Sequence, residues 1–201
     1  MIEWVTDLVA SAGPAGVMLL MFLENVFPPI PSEVIMPLAG FAAAEGRMSL
    51  AAAILAGGAG TLLGNGVWYE AARAIGSARL RPLAARYGRW FGASPAEMDR
   101  AEATLRRYGP IALFFGRLLP AVRTLISVPA GLARIPRPVF YLWSGLGGLL
   151  WTSLLAAAGY LLRDQYDQVE NALEPFSYIV LGGVLGSYLW HLWRSRQRAR
   201  G

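Results

Sequence analysis

Four charged residues lie inside two apolar stretches of this chain, and their types and spacing can support chemistry. Glu24 and Glu33 flank three prolines in ENVFPPIPSEVIMPLAG, and Arg117 and Arg123 flank another in GRLLPAVRT. Two nearby arginines can direct two planar forks at one phosphate through charge-assisted hydrogen bonds. Carboxylates beside them can neutralise the empty site and take up a proton when an anion competes. The pattern predicts a phosphate-binding site with proton-coupling or counter-ion glutamates.

The same four charges also have a purely structural interpretation. A charge at the centre of a membrane helix costs about 2.5 to 3.5 kcal/mol even on insertion scales, so it needs a partner or water. Pairs such as Glu24 with Arg123 and Glu33 with Arg117 would then only lock the two stretches together. Buried ion pairs are poor stabilisers, which weighs against this interpretation.

Either glutamate can carry a proton or serve as a counter-ion. Glu24 has no basic neighbour in the sequence, which favours it as the proton carrier. Glu33 suits either role equally.

The composition indicates that these charges belong to a membrane protein. The 201 residues are 55% hydrophobic and 15% charged, with a mean hydropathy of +0.42, which is too apolar for an ordinary soluble domain. Cysteine is absent, so disulfides and thiolate metal sites are excluded. Glu3 and Asp7 stand where a signal peptide would carry basic residues, so no cleaved targeting segment is expected.

Three runs are long enough to cross a membrane, since a helical span needs roughly 20 apolar residues. The predicted transmembrane helices are residues 49–76, 138–162 and 175–194.

Residues 14–44 and 110–133 are also apolar, but charges and prolines cut each into halves of about 10 residues, the length of a re-entrant segment. The predicted turn residues of these two hairpins are Pro28, Pro29, Pro31, Pro120, Pro129 and Gly131. A broken helix at membrane depth is tolerated only where protein or enclosed water satisfies its backbone. Both hairpins should therefore be buried together around a polar site.

The two hairpins read as a degenerate repeat. FLENVFPPIPSEVIMPLAG and FFGRLLPAVRTLISVPAG share an aromatic entry, a charge, a proline turn, a second charge and a small-residue exit. Entry from opposite faces would give the inverted repeat of transporters. The predicted fold class is an all-α integral membrane protein with three full transmembrane helices, two opposed re-entrant hairpins and amphipathic interfacial helices, in one membrane domain.

The charged segments predict the orientation of the chain. Residues 1–13 are expected to form an interfacial helix, and residues 77–108 a basic amphipathic region. The loop 163–174 carries four acids and one arginine, whereas the tail 195–201 is basic. By the positive-inside rule, residues 77–108 and the C-terminus lie in the cytoplasm and the loop lies outside. The side of the N-terminus stays open.

At these residues the chain resembles the DedA family of bacterial membrane proteins, whose shared region is also called the VTT or SNARE-associated Golgi domain. The resemblance covers most of residues 22–162 and lies in LENVFPPIPSEVIMPLAGFAA, GNGVWYEAARAIG, LRRYGPIALFFGRLLPAVRTLISVPAGLARIPRPVFYLWSGLGGLLW and AAAGYLL. The essential acids of the family match Glu24 and Glu33, and its essential arginines match Arg117 and Arg123.

The chain departs from the family pattern in its first span. The common Gly-Asp and Gly-Arg pairs read Gly64-Asn65 and Ala72-Arg73, which puts a coupling role for Asn65 in doubt. Asn65, Tyr69 and Arg73 are secondary site candidates.

The resemblance implies a multi-pass protein of the bacterial inner membrane that moves a phosphorylated lipid carrier, notably undecaprenyl phosphate, with coupling to the proton-motive force in several members. Polyprenyl phosphate or another anionic lipid is the expected partner, and protons and a homo-oligomer are open alternatives. No enzymatic activity, cofactor, metal or nucleic acid is expected.

Three other functions stay open at this point. The chain could be a membrane-organising protein that binds anionic lipid or partners through residues 77–108, or a general phospholipid scramblase. A polyprenyl-phosphate phosphatase is weaker, because no pair of nucleophile and base is evident.

Overall fold

The computed structural model describes residues 2–27, 32–80, 82, 95–119, 122–123 and 125–162. These residues form helices and connecting turns, with no strand among them. We label the helices in chain order α1 (Ile2–Val26), α2 (Ser32–Ala44), α3 (Leu50–Ile75), α4 (Pro95–Arg117), α5 (Ser127–Leu132) and α6 (Arg137–Leu161). The expected all-α class is confirmed. The predicted span 175–194, the loop 163–174, the tail 195–201 and much of 77–108 lie outside the described residues.

The two longest apolar helices, α3 and α6, correspond to the predicted spans 49–76 and 138–162. At 1.5 Å rise per residue, 26 and 25 residues give lengths of about 39 and 38 Å. That exceeds the roughly 30 Å of hydrocarbon in a bilayer. Large apolar side chains on their outer faces are exposed, with Leu55 at 62% and Leu154 at 57%. The core helix of a soluble protein would bury such residues, so these faces suit contact with lipid.

The first predicted hairpin consists of α1 and α2 with a turn between them. Helix α1 breaks at Gly13, which has a positive φ of 55° and is followed by Pro14. The apolar part of α1 is therefore short. Helix α2 has 13 residues, or about 20 Å, which is too short to cross a bilayer. Val17 and Met21 of α1 form a core with Ile35 of α2. The turn residues Pro28, Pro29 and Pro31 lie outside the described residues.

The second predicted hairpin consists of the last turns of α4, a non-helical turn and α5. Helix α4 breaks at Gly109, with φ 46°, immediately before Pro110. Leu113 of α4 and Ala130 of α5 pack into one core with Tyr69 of α3 and Phe140 of α6. The hairpin is thereby held between the two long helices.

The prediction that Pro129 and Gly131 lie in the turn is wrong, because both are inside α5. Pro129 is the third residue of that helix, where a missing N–H costs no intrahelical hydrogen bond. Gly131 lies against the carbonyl group of Tyr69, so a side chain there would collide with the backbone of α3. Pro120, the other predicted turn residue, lies outside the described residues.

Candidate functional site

Arg123 connects the two hairpins by reaching between the glutamates of the first. Its Nη2 lies 2.6 Å from Oε1 of Glu24 and 3.7 Å from Oε2 of Glu33. Its Nη1 donates to Oγ of Ser32 at 2.5 Å. Glu24 and Arg123 are only 4% and 9% exposed. One guanidinium and two carboxylates therefore form a single cluster in which Glu24 and Arg123 are buried.

The two glutamates are held to different degrees. The second oxygen of Glu24, Oε2, accepts a hydrogen bond from Nδ2 of Asn25 at 2.5 Å, so both of its oxygens have partners. Among the described residues, Glu33 has only the longer contact to Arg123 and a 3.4 Å hydrogen bond from Ser32, and its side chain is 23% exposed. Glu24 is thus the fixed partner of Arg123, whereas Glu33 is more loosely bound. The proximity of Arg123 also removes the sequence-based reason for favouring Glu24 as the proton carrier.

Two tryptophans donate hydrogen bonds to residues of this cluster's surroundings. Nε1 of Trp68 donates to the carbonyl oxygen of Asn25 at 3.0 Å, and Nε1 of Trp151 donates to Oγ of Ser32 at 3.5 Å. Cζ of Arg123 lies 5.7 Å from the ring centroid of Trp151, within cation–π range. The long helices α3 and α6 therefore position the residues that hold the glutamates.

Arg117 is buried, at 1% exposure, and points to a different set of acceptors. Its terminal nitrogens donate to Oδ1 of Asn65 at 2.8 Å, to Oγ of Ser127 at 2.9 Å and to Oγ of Ser144 at 3.1 Å. Nη1 also donates to the backbone carbonyl of Arg123. Nε is buried without a hydrogen-bond partner in the described part of the chain. Arg117 therefore joins α3, α5 and α6 and fixes the backbone that carries Arg123.

The sequence-level pairing of Glu33 with Arg117 is wrong, because Glu33 faces Arg123. Within the described residues, Arg117 lies in no ion pair. The turn after α4 folds back so that the Arg123 carbonyl meets the Arg117 guanidinium, which turns Arg117 toward α3 and α6 rather than α2. In this structure the guanidinium groups of Arg117 and Arg123 donate hydrogen bonds to separate sets of acceptors.

The cluster lies near mid-height of α6. Ser144, the partner of Arg117, is about 10 Å along the helix from Arg137, and Trp151 is about 21 Å along it. The midpoint of this helix is at about 19 Å. If α6 crosses a bilayer, the charges are at hydrocarbon depth, where charged residues need partners or water.

The secondary candidates occupy two places. Asn65 accepts a hydrogen bond from Arg117, as described above. Tyr69 and Arg73 lie further toward the end of α3, where Oη of Tyr69 donates to the carbonyl of Ile135 at 2.5 Å. Nη1 of Arg73 donates to both of these oxygens at 2.9 Å. Tyr69 and Arg73 thus tie α3 to the segment before α6, and none of these hydrogen bonds involves Glu24 or Glu33.

Sequence reasoning missed four polar partners of the charged residues: Asn25, Ser32, Ser127 and Ser144. Asn25 and Ser32 adjoin the two glutamates in sequence, and this adjacency was an available signal. Ser144 is a small polar residue in an apolar span, where such residues typically make hydrogen bonds between helices. Among the described residues, no group of three or more His, Asp or Glu side chains could hold a metal ion.

A sequence profile of the VTT domain matches residues 30–161, which include α2 to α6 and both site arginines. The chain belongs to the VTT, or DedA, family. This VTT protein is 34% identical over 185 residues to the alkaline phosphatase-like protein of Lactococcus lactis subsp. cremoris, covering 92% of the chain and 86% of that relative.

Two other relatives of this VTT protein carry the name undecaprenyl phosphate transporter A. The Staphylococcus aureus protein is 29% identical over 88% of the chain and 87% of its own length. The Bacillus subtilis protein is 31% identical over 85% of the chain and 80% of its own length. No solved structure matches the chain. Family membership and the two long apolar helices together make this a membrane protein.

Proposed function

We propose that the protein transports a phosphorylated lipid carrier across the bacterial inner membrane, with undecaprenyl phosphate or a related polyprenyl phosphate as the substrate. The observation that carries this proposal is the buried Arg123 held by Glu24 and Glu33 between two short helical hairpins. The names of the Staphylococcus and Bacillus relatives support the choice of lipid. Arg117 supports the site by fixing the backbone of Arg123.

The chemistry of this site is anion exchange. In the empty state the guanidinium of Arg123 is neutralised by carboxylates, as a buried cation requires. A lipid phosphate entering between the hairpins replaces a carboxylate on Arg123, because guanidinium binds phosphate through the same paired hydrogen bonds. The prenyl tail stays in the surrounding lipid while the headgroup occupies the site.

Proton coupling follows from the carboxylate that is displaced. An unpaired carboxylate beside a bound phosphate is unfavourable, and protonation removes that charge. Glu33 is the better proton carrier, because it is partly exposed and its contact with Arg123 is 3.7 Å. Glu24 acts as the permanent counter-ion of Arg123.

The geometry of alternating access is part of the same proposal. Both hairpins are re-entrant, open to opposite faces and meet at the charge cluster, as in inverted-repeat transporters. The basic residues of 77–108 and of the tail support a cytoplasmic location for those segments and the C-terminus. Together with the predicted span 175–194, this gives three full transmembrane helices.

The test is a reconstitution of the purified full chain into liposomes that contain polyprenyl phosphate labelled with radioactive phosphorus. A phosphatase added outside releases label only from the outer leaflet, so transport raises the released fraction from about half toward completion. Glu24→Gln/Arg123→Gln removes both charges of the buried pair, so that neither is left unpaired, and should abolish this rise. Arg47→Gln, which removes an exposed arginine paired with Glu45 in the loop after α2, is the matched control.

The same liposome experiment distinguishes transport of a lipid phosphate from the alternative functions. Release of phosphate without the added phosphatase would indicate an enzyme, as the name of the Lactococcus relative suggests for that protein. Equal movement of labelled phosphatidylcholine would indicate a general scramblase. No movement of either lipid by the wild-type protein would refute transport and favour a membrane-organising role.

A further inference from the structure

A second basic site lies at the end of the helix bundle where α3 ends and α6 begins. A cleft of about 250 Å³ is lined there by Glu70, Arg73, Ala74, Arg134 and Arg137. Three arginines and one glutamate leave a formal surplus of two positive charges. The cleft is at the terminus of both long apolar helices, where a membrane-spanning helix meets the headgroup region. Such a concave basic surface attracts anions.

The three arginines of this cleft differ in how many of their guanidinium nitrogens already donate hydrogen bonds. Arg137 donates through Nε and Nη2 to the two oxygens of Glu70 at 2.7 and 2.8 Å. Arg73 uses Nη1 for the Tyr69 hydroxyl and the Ile135 carbonyl, and its other two nitrogens have no hydrogen-bond partner among the described residues. Arg134 is exposed, and its side chain has no hydrogen-bond or ion-pair partner in the described part of the chain.

The backbone at Arg134 is unusual as well. Its φ is 53°, and every other positive φ in the described residues belongs to a glycine. Ile135 N–H donates to the Ala130 carbonyl and Arg134 N–H to the Gly131 carbonyl, the pattern of a helix end at which glycine is strongly preferred. An arginine here costs free energy that glycine would not. Strain of this kind is characteristic of functional positions.

The cleft is linked to the buried site by stacked aromatic rings. Cζ of Arg73 lies 5.9 Å from the ring centroid of Tyr69, and the Tyr69 ring stacks on Phe140 at 3.9 Å. Cζ of Arg117 lies 5.6 Å from the centroid of the Phe140 ring, and Arg117 in turn contacts the backbone of Arg123 in the charge cluster. Two rings therefore separate the cleft from Arg117.

We propose that Arg73, Arg134 and Arg137 form a docking site for a phosphate group at the membrane surface, distinct from the buried site at Arg123. Arg134 makes the first contact because its guanidinium has no partner among the described residues, and Nε and Nη2 of Arg73 complete the site. The ligand chemistry is a terminal phosphate group, borne as a monoester by a lipid headgroup or present as free inorganic phosphate. Its role as a loading station for transport rests on the proposed function, whereas phosphate binding by the cleft does not.

The test measures binding to the purified full chain in detergent with the buried site disabled. In the Glu24→Gln/Arg123→Gln background, radiolabelled farnesyl phosphate and inorganic phosphate are titrated separately, with farnesol as the uncharged control. Adding Arg134→Gly should weaken binding about tenfold, the loss expected for one charge-assisted hydrogen bond. Adding Arg106→Gln instead should leave binding unchanged, because Arg106 is an exposed arginine paired with Glu102 on α4.

Arg134→Gly separates binding from folding, because glycine suits the left-handed backbone and should keep or raise the thermal midpoint. Tighter binding of farnesyl phosphate than of inorganic phosphate would identify a lipid headgroup as the ligand, and equal binding would identify free phosphate. Absence of phosphate binding in the background variant, or equal affinity with and without Arg134, would overturn the proposal. Neither result bears on transport by the wild-type protein, which the liposome experiment measures independently.

Discussion

The guanidinium of Arg117 donates a hydrogen bond to the backbone carbonyl of Arg123, six residues further along the chain. This contact makes the two arginines of the second hairpin unequal. Arg117 holds the turn from inside, with Asn65, Ser127 and Ser144 as its other acceptors. Arg123 extends from that turn to the glutamates of the first hairpin. In the proposed transport site a phosphate would therefore meet Arg123 first, and Arg117 would act through the position that it gives to Arg123.

Lysine substitution should separate these two roles. Arg117→Lys cannot satisfy four acceptors, and each one left buried without a partner costs about 1 to 3 kcal/mol, so its thermal midpoint should fall clearly. Arg123→Lys keeps the charge beside Glu24 but loses the fork, so it should stay folded and transport more slowly. Thermal denaturation and liposome transport are measured on the same samples. Equal stability of the two variants would contradict the anchoring role of Arg117.

The two glutamates should respond differently to replacement by glutamine. Glu24→Gln removes a charge 2.6 Å from Arg123, and breaking a buried pair typically costs about 3 to 5 kcal/mol, so this variant should be poorly stable. Glu33→Gln mimics the protonated side chain at a looser contact, so it should fold well and transport with little dependence on pH. A stable Glu24→Gln protein with pH-independent transport would reverse the assignment and make Glu24 the proton carrier.

The sequence predicts the parts of this fold that depend on local pattern. Helices α3 and α6 follow from long charge-free runs, and the breaks at Gly13 and Gly109 coincide with Gly-Pro pairs. The pairing of Glu24 with Arg123, named from the sequence as one of two ion pairs, is the one that the fold forms. The partner of Glu33 could not be chosen from sequence, because Arg117 and Arg123 are both distant and only the fold decides which one turns toward α2. The left-handed backbone of Arg134 was equally inaccessible, since nothing local distinguishes it from an ordinary surface arginine.

Glycine substitutions should test how closely the second hairpin packs on α3. Gly131→Ala places a methyl group against the Tyr69 carbonyl, and such overpacking typically costs about 1 to 3 kcal/mol, so its thermal midpoint should fall. Gly145→Ala is the matched control, because the nearest atom to its added carbon would be 3.5 Å away on the flexible side chain of Leu62. A Gly131→Ala protein as stable as the control would show that α5 does not approach α3 this closely.

Asn65 offers a test at the position where the family commonly has aspartate. Asn65→Asp would place a carboxylate beside the buried Arg117, whose hydrogen bond to Asn65 is 2.8 Å. A hydrogen bond between charged groups contributes about 1.5 to 3 kcal/mol, so the thermal midpoint should rise. Asn65→Leu is similar in size without an acceptor and should lower it. A fall in both variants would mean that the site cannot accommodate a further charge.

The last prediction concerns whether the first hairpin re-enters the membrane from one face. The chain has no cysteine, so a single introduced cysteine reports its own location. Ala12 and Glu45 are exposed and flank the hairpin, and Ala12 avoids the positive φ of Gly13. If α1 and α2 form a re-entrant pair, Ala12→Cys and Glu45→Cys should react with an impermeant maleimide from the same side of oriented vesicles. Labelling from opposite sides would require the chain to cross the bilayer between them. Because α2 is only about 20 Å long, such a crossing would need the apolar part of α1 to span the membrane, and the inverted-repeat arrangement would then fail.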